Sequence, residues 1–378
     1  MIMQFFEIHP TDTLFFRDSR PFNKDETITL AGVKSIFPPS PATVAGAIMV
    51  TYAKVLGWDG SSPWGKSIED KLNNTDKPLI FSGISLRKEG KVLFPVPQHL
   101  IELRSKDACQ HTEKNRKFNE LHELGFLTPS KNPYKTDMGA VYLPEVENQP
   151  KETVIKPLDG YWITKEGLAS CLKLKIPEKN TLYHQSELWK FESKIGIERD
   201  LDTHATKQGA LYSSTHIRLC ADVSIIIGVE NLPNKDFQES PINIDNKLMI
   251  LGGEARTASM TKIDINIDNL TTQMAINNLT PQTEYLIYIA SPTPVADPQA
   301  IPNIKTACMP RQMRIGGWNS LKFEPLPLTP FLTPGTVLFM QNPVNKGWEK
   351  SLTPEQFTQI NSVYGYYFFG ENNNDNEK

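Results

Sequence analysis

The sequence predicts an α+β fold in two domains. Three observations carry that expectation. A strand, a helix and a hairpin follow one another early in the chain, an Asn-, Asp- and Pro-rich stretch at 231–246 interrupts it, and a second mixture of strands with a short helix follows. At 378 residues and about 150 residues per domain, two or three compact units fit. Hydrophobic residues make up 39%, enough for a core, while 29 Pro against 22 Gly call for long, stiffened connections. That balance excludes disorder, collagen and coiled coil.

Gln4 to His9 is aromatic and β-branched and stops at Pro10, which reads as an opening strand. Ser40 then stands as an N-cap before Pro41. Val44, Ile48, Thr51 and Val55 recur at helical spacing until Gly57 ends the segment. Leu79 to Leu86 and Val92 to Val96, separated by Arg87 to Lys91, read as a β-hairpin. From about Ile101 to Pro157, charged helix-like stretches alternate with Pro and Asn, which suggests an insertion. Thr164 to Leu172 and Ser186 to Phe191 read as short capped helices. Lys194 to Leu219 reads as a protruding hairpin with a polar tip, and Ile217 to Val229 as a strand. The expected domains are thus 1–230, carrying the insertion (101–157) and the hairpin (194–218), and 231–378. In the latter, Leu248 to Leu251 is apolar, strands lie near Ile263 to Ile267, Tyr285 to Ala290 and Val337 to Gln341, a helix lies near Glu355 to Asn361, and Glu371 to Lys378 is a polar tail. No fixed-period repeat is present, which argues against a solenoid.

Forty basic and 43 acidic side chains leave a formal charge of −3, so any grip on a polyanion must be local. Met1 to Pro10 lacks the basic start and small-residue cleavage site of a secretory signal, and no apolar run reaches the length of a membrane span. Cys109, Cys171, Cys220 and Cys308 form no CxxC pair and have no His at ligand spacing. Neither a disulfide framework nor a metal site is expected, no cofactor is called for, and the reading is a reducing cytoplasm.

Several local patterns suit RNA. Ser40 and Thr43 sit where free N–H groups at a helix start could hold a phosphate, with small residues to Gly46 as the packing alternative. Arg17 and Arg20 flank Asp18 and could clamp a phosphate or pair with that carboxylate. Gly252 and Gly253 allow close backbone approach beside Arg256, but without the Lys-Ser/Thr ending of a nucleotide P-loop. Arg311, Arg314 and Trp318 offer cations beside an aromatic plate. Between Gly196 and Tyr212, Arg199, Thr203, Thr206 and Lys207 are donors for phosphate or sugar, and Leu201 could wedge between bases. His204, Tyr212 and His216 raise an acid–base alternative, cleavage through a ribose 2′-hydroxyl. A hydrolase using Asp12 and Asp18 has no pairing signal behind it.

Taken together, Asp12-Thr-Leu-Phe-Phe-Arg-Asp-Ser-Arg-Pro-Phe22, Ser35-Ile-Phe-Pro-Pro-Ser-Pro-Ala-Thr-Val-Ala-Gly-Ala47, the Phe94-to-Pro97 hairpin end, Gly196 to Tyr212, Leu251-Gly-Gly-Glu-Ala-Arg256 and Ile315-Gly-Gly-Trp318 resemble the RAMP superfamily of CRISPR proteins. Within it they are most similar to the family of the third subunit of Cmr (type III-B) effector complexes. The resemblance implies two ferredoxin-like (RRM-related) domains, with Gly196 to Tyr212, Tyr212 included, as a projecting hairpin. It also implies a noncatalytic subunit that holds the 5′ tag of the CRISPR RNA, docks on the large polymerase-like subunit, starts the filament of adjacent backbone RAMP subunits, and meets target RNA indirectly. Ala255, where relatives often carry a second basic residue, and Val363 to Gly370, only weakly like the glycine-rich RAMP loop, depart from that pattern. A metal-independent CRISPR RNA endoribonuclease of the same superfamily is the alternative.

Overall fold

The computed structural model describes residues 3–17, 33–72, 74, 78–105, 121–137, 139–147, 149, 152–199, 202, 206–232, 247–265, 284–294, 304–319, 324–341, 364 and 367–371. Strands dominate and helices are few, an α+β composition. Contacts group the chain into two compact units that interleave along the sequence. One comprises Met1–Ile84, Leu188–Ile263 and Ile315–Thr329, the other Ser85–Glu187, Asp264–Arg314 and Pro330–Lys378.

In the first unit the opening strand, Gln4–Pro10, lies between Val223–Glu230 and Thr257–Ile263, antiparallel to both, and Lys247–Ile250 extends the sheet beyond Thr257–Ile263. Ile225, Ile226 and Ile227 are all fully buried, so this strand is covered on both faces and its apolar run need not alternate. The expected strand Ile217 to Val229 is in fact two. Leu219 ends one strand and Val223 begins the next, with Asp222 in the left-handed region (φ 59°) at the turn. The helix occupies Pro41–Val55 and buries Val44, Ala45, Ile48 and Tyr52. Pro41 opens it as expected, but the Ser40 side chain caps no backbone N–H.

The long hairpin is present. Trp189–Arg199 pairs antiparallel with Thr206–Leu219 from Trp189↔Leu219 to Arg199↔Thr206, with a register shift between Ile197 and Arg199. Its first arm begins earlier than expected. Gln185–Glu187 is a single 3₁₀ turn, and Trp189 already faces Leu219, so the second half of the helix expected over Ser186 to Phe191 is strand. Buried Trp189 beside exposed Lys190 shows the period of two.

In the second unit Ser85–Lys88 and Lys91–Pro95 form a hairpin closed by Glu89 and Gly90, both at positive φ (50° and 80°), as a type I′ turn requires. Tyr161–Thr164 and Leu182–His184 continue that sheet. Thr164 caps helix Lys165–Cys171 by accepting Gly167 N–H at 3.3 Å. The 101–157 stretch, expected to be helix-like, is a sheet where it is described. Leu100–Ser105 lies between Glu123–Pro129 and Thr153–Pro157, and Pro144–Val146 adds to Glu123–Pro129. Glu102 explains the misreading: its charge suggests solvent, yet it is buried and takes Arg104 Nε (2.8 Å), Arg104 Nη2 (2.6 Å) and His122 N–H (2.8 Å).

Another sheet of this unit sets Glu284–Ile289 between Val337–Gln341 and Tyr367–Glu371. Tyr285, Ile287, Ile289, Leu338 and Met340 form its dry cluster. Of the strand expected around Ile263 to Ile267, Ile263 closes the strand Thr257–Ile263, Asp264 and Ile265 lie in no strand, and 266–267 lie outside the described residues. The helix expected near Glu355 to Asn361 lies outside the described residues.

Candidate nucleic-acid interface

Where the opening strand ends, Asp12 to Arg17 run among three other pieces of the first unit. Leu14 bridges Ile217 of the hairpin, Ile36 N donates to Phe16 O at 2.9 Å, Arg17 bridges Ser35, and Gly253 N donates to Phe15 O at 2.8 Å. This short strut joins the hairpin, the segment entering helix Pro41–Val55, and the glycine turn between Lys247–Ile250 and Thr257–Ile263. Gly252 is needed for the junction. It sits at φ +86°, and a Cβ there would lie 2.4 Å from Phe15 O. The close approach read from Gly252 and Gly253 is therefore made to the chain's own backbone.

Charged side chains surround the strut. Arg218 Nη2 donates to Asp12 Oδ1 at 2.9 Å, and Arg218 also pairs with Glu192. Lys194 Nζ donates to Thr13 Oγ1 at 2.7 Å and lies 3.4 Å from Asp12 Oδ2. Arg256 Nη2 meets Glu254 at 3.0 Å, and Nη1 meets Asp12 Oδ2 at 3.5 Å. Three cations thus face three carboxylates. The hydrogen bond from Arg218 holds both the Asp12 and the Glu192 carboxyls below their usual range and raises Arg218.

His216 lies fully buried beneath this network, stacked on Phe15 at 5.1 Å between ring centroids. Its Nδ1 is 3.1 Å from Thr13 Oγ1, and its Nε2 is 3.0 Å from Ser214 Oγ and 3.2 Å from Glu254 Oε2. The Glu254 carboxylate can only accept, which favours a proton on Nε2, and Nδ1 then accepts from the Thr13 hydroxyl. Burial, opposed by Glu254, lowers the imidazole's pKa. Both ring nitrogens of His216 thus lie within hydrogen-bonding distance of side-chain oxygens.

The other sequence candidates fall in several places. Arg17 is exposed, Ser40 half-buried and Thr43 exposed on the first helical turn. A Cβ added at Gly46 would meet no atom within 4 Å, so the small residue serves no packing among the described residues. Arg199 and Thr206 face each other across the register shift, with Lys207 and Tyr212 further along the same arm. Arg311 and Arg314 are exposed, and the Arg311 carbonyl accepts Thr333 Oγ1 at 2.9 Å. Trp318 lies on strand Met313–Asn319. Arg20, Leu201, Thr203 and His204 lie outside the described residues, as does Asp18.

Sequence reasoning passed over Glu192, Lys194, Arg218 and Glu254, and gave Asp12 only a minor role. A signal was available: Lys190, Glu192 and Lys194 alternate in a strand, which puts three charges on one face. Among the described residues no group of three or more His, Cys, Asp or Glu could hold a metal ion, and no helix is long and apolar enough to cross a membrane.

Comparison with known proteins adds the following. Two solved structures share this fold. A chain of the type III-B Cmr-beta complex bound to cognate target RNA and AMPPnP aligns at 16% identity with a TM-score of 0.54, over 96% of this chain and 94% of that one. A chain of the same complex bound to cognate target RNA aligns at 16% identity and a TM-score of 0.53, over 96% and 95%. A search of curated protein sequences gave no match. A family model for "CRISPR-associated protein (Cas_Cmr3)" matches residues 6–360, nearly the whole sequence and all of the strut, hairpin and glycine turn, so the chain belongs to the CRISPR-associated Cas_Cmr3 family.

Proposed function

We propose that this chain is a noncatalytic RNA-binding subunit of a type III-B CRISPR effector complex. It holds the 5′ tag of the CRISPR RNA and bridges the large polymerase-like subunit to the adjacent backbone RAMP subunit, meeting target RNA only indirectly. Two ferredoxin-like domains and a cytoplasmic setting belong to the same reading. The observation that carries it is the hairpin of Trp189–Arg199 and Thr206–Leu219, whose outer positions Arg199, Thr206 and Lys207 are donors. A chain with a net charge of −3 has no general field for RNA, so affinity must come from local donors and from assembly with partners. The buried, doubly bonded His216 supports the absence of acid–base chemistry at the hairpin base.

The test uses the assembled complex and the isolated chain. Replacing Arg199, Thr203 and Lys207 together by Ala is expected to weaken crosslinking of the tag to this chain while the thermal midpoint stays unchanged. Unaltered crosslinking removes the hairpin from the site. Isolated protein incubated with repeat RNA in EDTA is expected to leave it intact, and cleavage products would overturn the noncatalytic reading.

A further inference from the structure

The network at the hairpin base contains one group that the others do not duplicate. Glu192 pairs with Arg218 and Lys194, which both belong to the hairpin, so it ties arm to arm. Glu254 pairs with Arg256 and His216, linking the glycine turn to one arm. Asp12 alone reaches all three elements: Lys194 on the first arm, Arg218 on the second, and Arg256 at the end of the glycine turn. It also stands at the start of the strut whose backbone carries both the hairpin and the turn.

We propose that Asp12 is a positioning residue, a carboxylate pin that fixes the direction of the hairpin relative to the glycine turn so that both meet the RNA in one register. This rests on the RNA-binding reading above. The physical argument is one of leverage. A two-stranded ribbon is held internally by its ladder, but its angle to the body depends on contacts at its base. There the ties include the Leu14–Ile217 bridge, the short parallel pairing of Ser214 and Thr215 with Val33 and Lys34, the packing of Phe37 on Trp189, the stacking of Phe15 on His216, and these side-chain bonds. A carboxylate with two oxygens can take donors from separate elements at once, and each donor restrains the others. Asp12 is half-exposed, at 49%, so its pairs add little to global stability. A residue that contributes little to stability yet spans three elements is suited to orientation.

The proposal separates placement from affinity. Asp12→Asn removes a negative charge from beside three cations, so RNA retention should not fall, whereas the tag should lose its fixed position. The experiment places spin labels at Ile195→Cys on the exposed face of the first arm and at Lys54→Cys on the exposed side of helix Pro41–Val55, with Cys109 and Cys220 replaced by Ser. Interspin distances are read in the free full-length chain. Asp12→Asn is expected to give a distance distribution about twice as wide, Asp12→Glu to restore most of the original width, and Glu192→Gln, which removes an equal charge from two of these cations, Lys194 and Arg218, to leave it narrow. In the assembled complex, tag crosslinks to this chain should spread over neighbouring nucleotides in Asp12→Asn alone.

A distribution that stays narrow in Asp12→Asn, or that widens equally in Glu192→Gln, overturns the proposal whatever the RNA does. Crosslinks that keep their positions in a variant whose hairpin has loosened overturn the link between orientation and register. Absence of any tag crosslink to the wild-type chain overturns the RNA reading instead, and the distance measurement still decides whether Asp12 is the pin.

Discussion

Two buried imidazoles, one in each unit, show how differently this chain holds its parts. His216 sits under a layer of charge, with hydroxyls and a carboxylate at its nitrogens. His99 sits in the second unit stacked on Phe126 at 4.9 Å and edge-on to Phe339 at 6.0 Å. There Nε2 meets Cys171 O at 3.2 Å and Nδ1 has no hydrogen-bond partner among the described residues. The surroundings of His99 are those of the neighbouring dry sheet, where Ile287 is fully buried and Leu338 almost so. In the first case polar groups specify an arrangement; in the second, packing supplies stability, and a polar group is tolerated only in its neutral form.

This contrast predicts a ranking of effects. The largest is expected in the dry sheet. Ile287→Ala should cost about 4 kcal/mol, since it removes most of a fully enclosed side chain and leaves a cavity. A loss below about 1 kcal/mol in denaturant unfolding would show that this sheet collapses around the gap. Acid comes next. Burial holds His99 down to about 4, against an ordinary value of 6.5. A depressed histidine contributes stability that is fully present above the unfolded value and is lost as pH falls from about 6.5 toward 4, because the unfolded chain takes up the proton first. That loss is on the order of 3 kcal/mol, and His99→Gln should flatten the pH dependence of the thermal midpoint across that window. If the slope persists, other groups carry it.

Gly252→Ala follows, at about 2 kcal/mol, from a left-handed backbone and a clash with the Phe15 carbonyl. It should also disturb the strut, so limited proteolysis is expected to cut the hairpin faster than in wild type. Equal cutting would mean that the turn and the hairpin are mechanically independent. The smallest effect is expected for Glu192→Gln, whose closest partner, Arg218, is half-exposed. The thermal midpoint should barely move, and a shift as large as that of Ile287→Ala would erase the distinction between the two regions.

Much of the fold was legible locally. Opening strand, long helix, tight hairpin and long hairpin each carry their own signal: an aromatic run, Pro at the first helical position, a Glu-Gly turn, and alternating residues flanking a polar tip. The 101–157 stretch was not legible. Glu102 is charged yet buried, with half-buried Arg104 paired to it, and such a pair looks like surface in a sequence. Of the candidate site, the hairpin and the glycine turn could be read, but the purpose of Gly252 could not, because the atom it avoids is the carbonyl of Phe15, on the far side of the fold's connectivity.

By itself the sequence determined periodicity, turn chemistry and membership in the Cas_Cmr3 family, because each is written in neighbouring residues or short motifs. Only the tertiary structure decided which charges meet. Asp12 finds Lys194, Arg218 and Arg256 across separations of 182, 206 and 244 residues. The alternation along a strand says which side chains share a face, while the register that brings one face to another depends on the packing of whole elements.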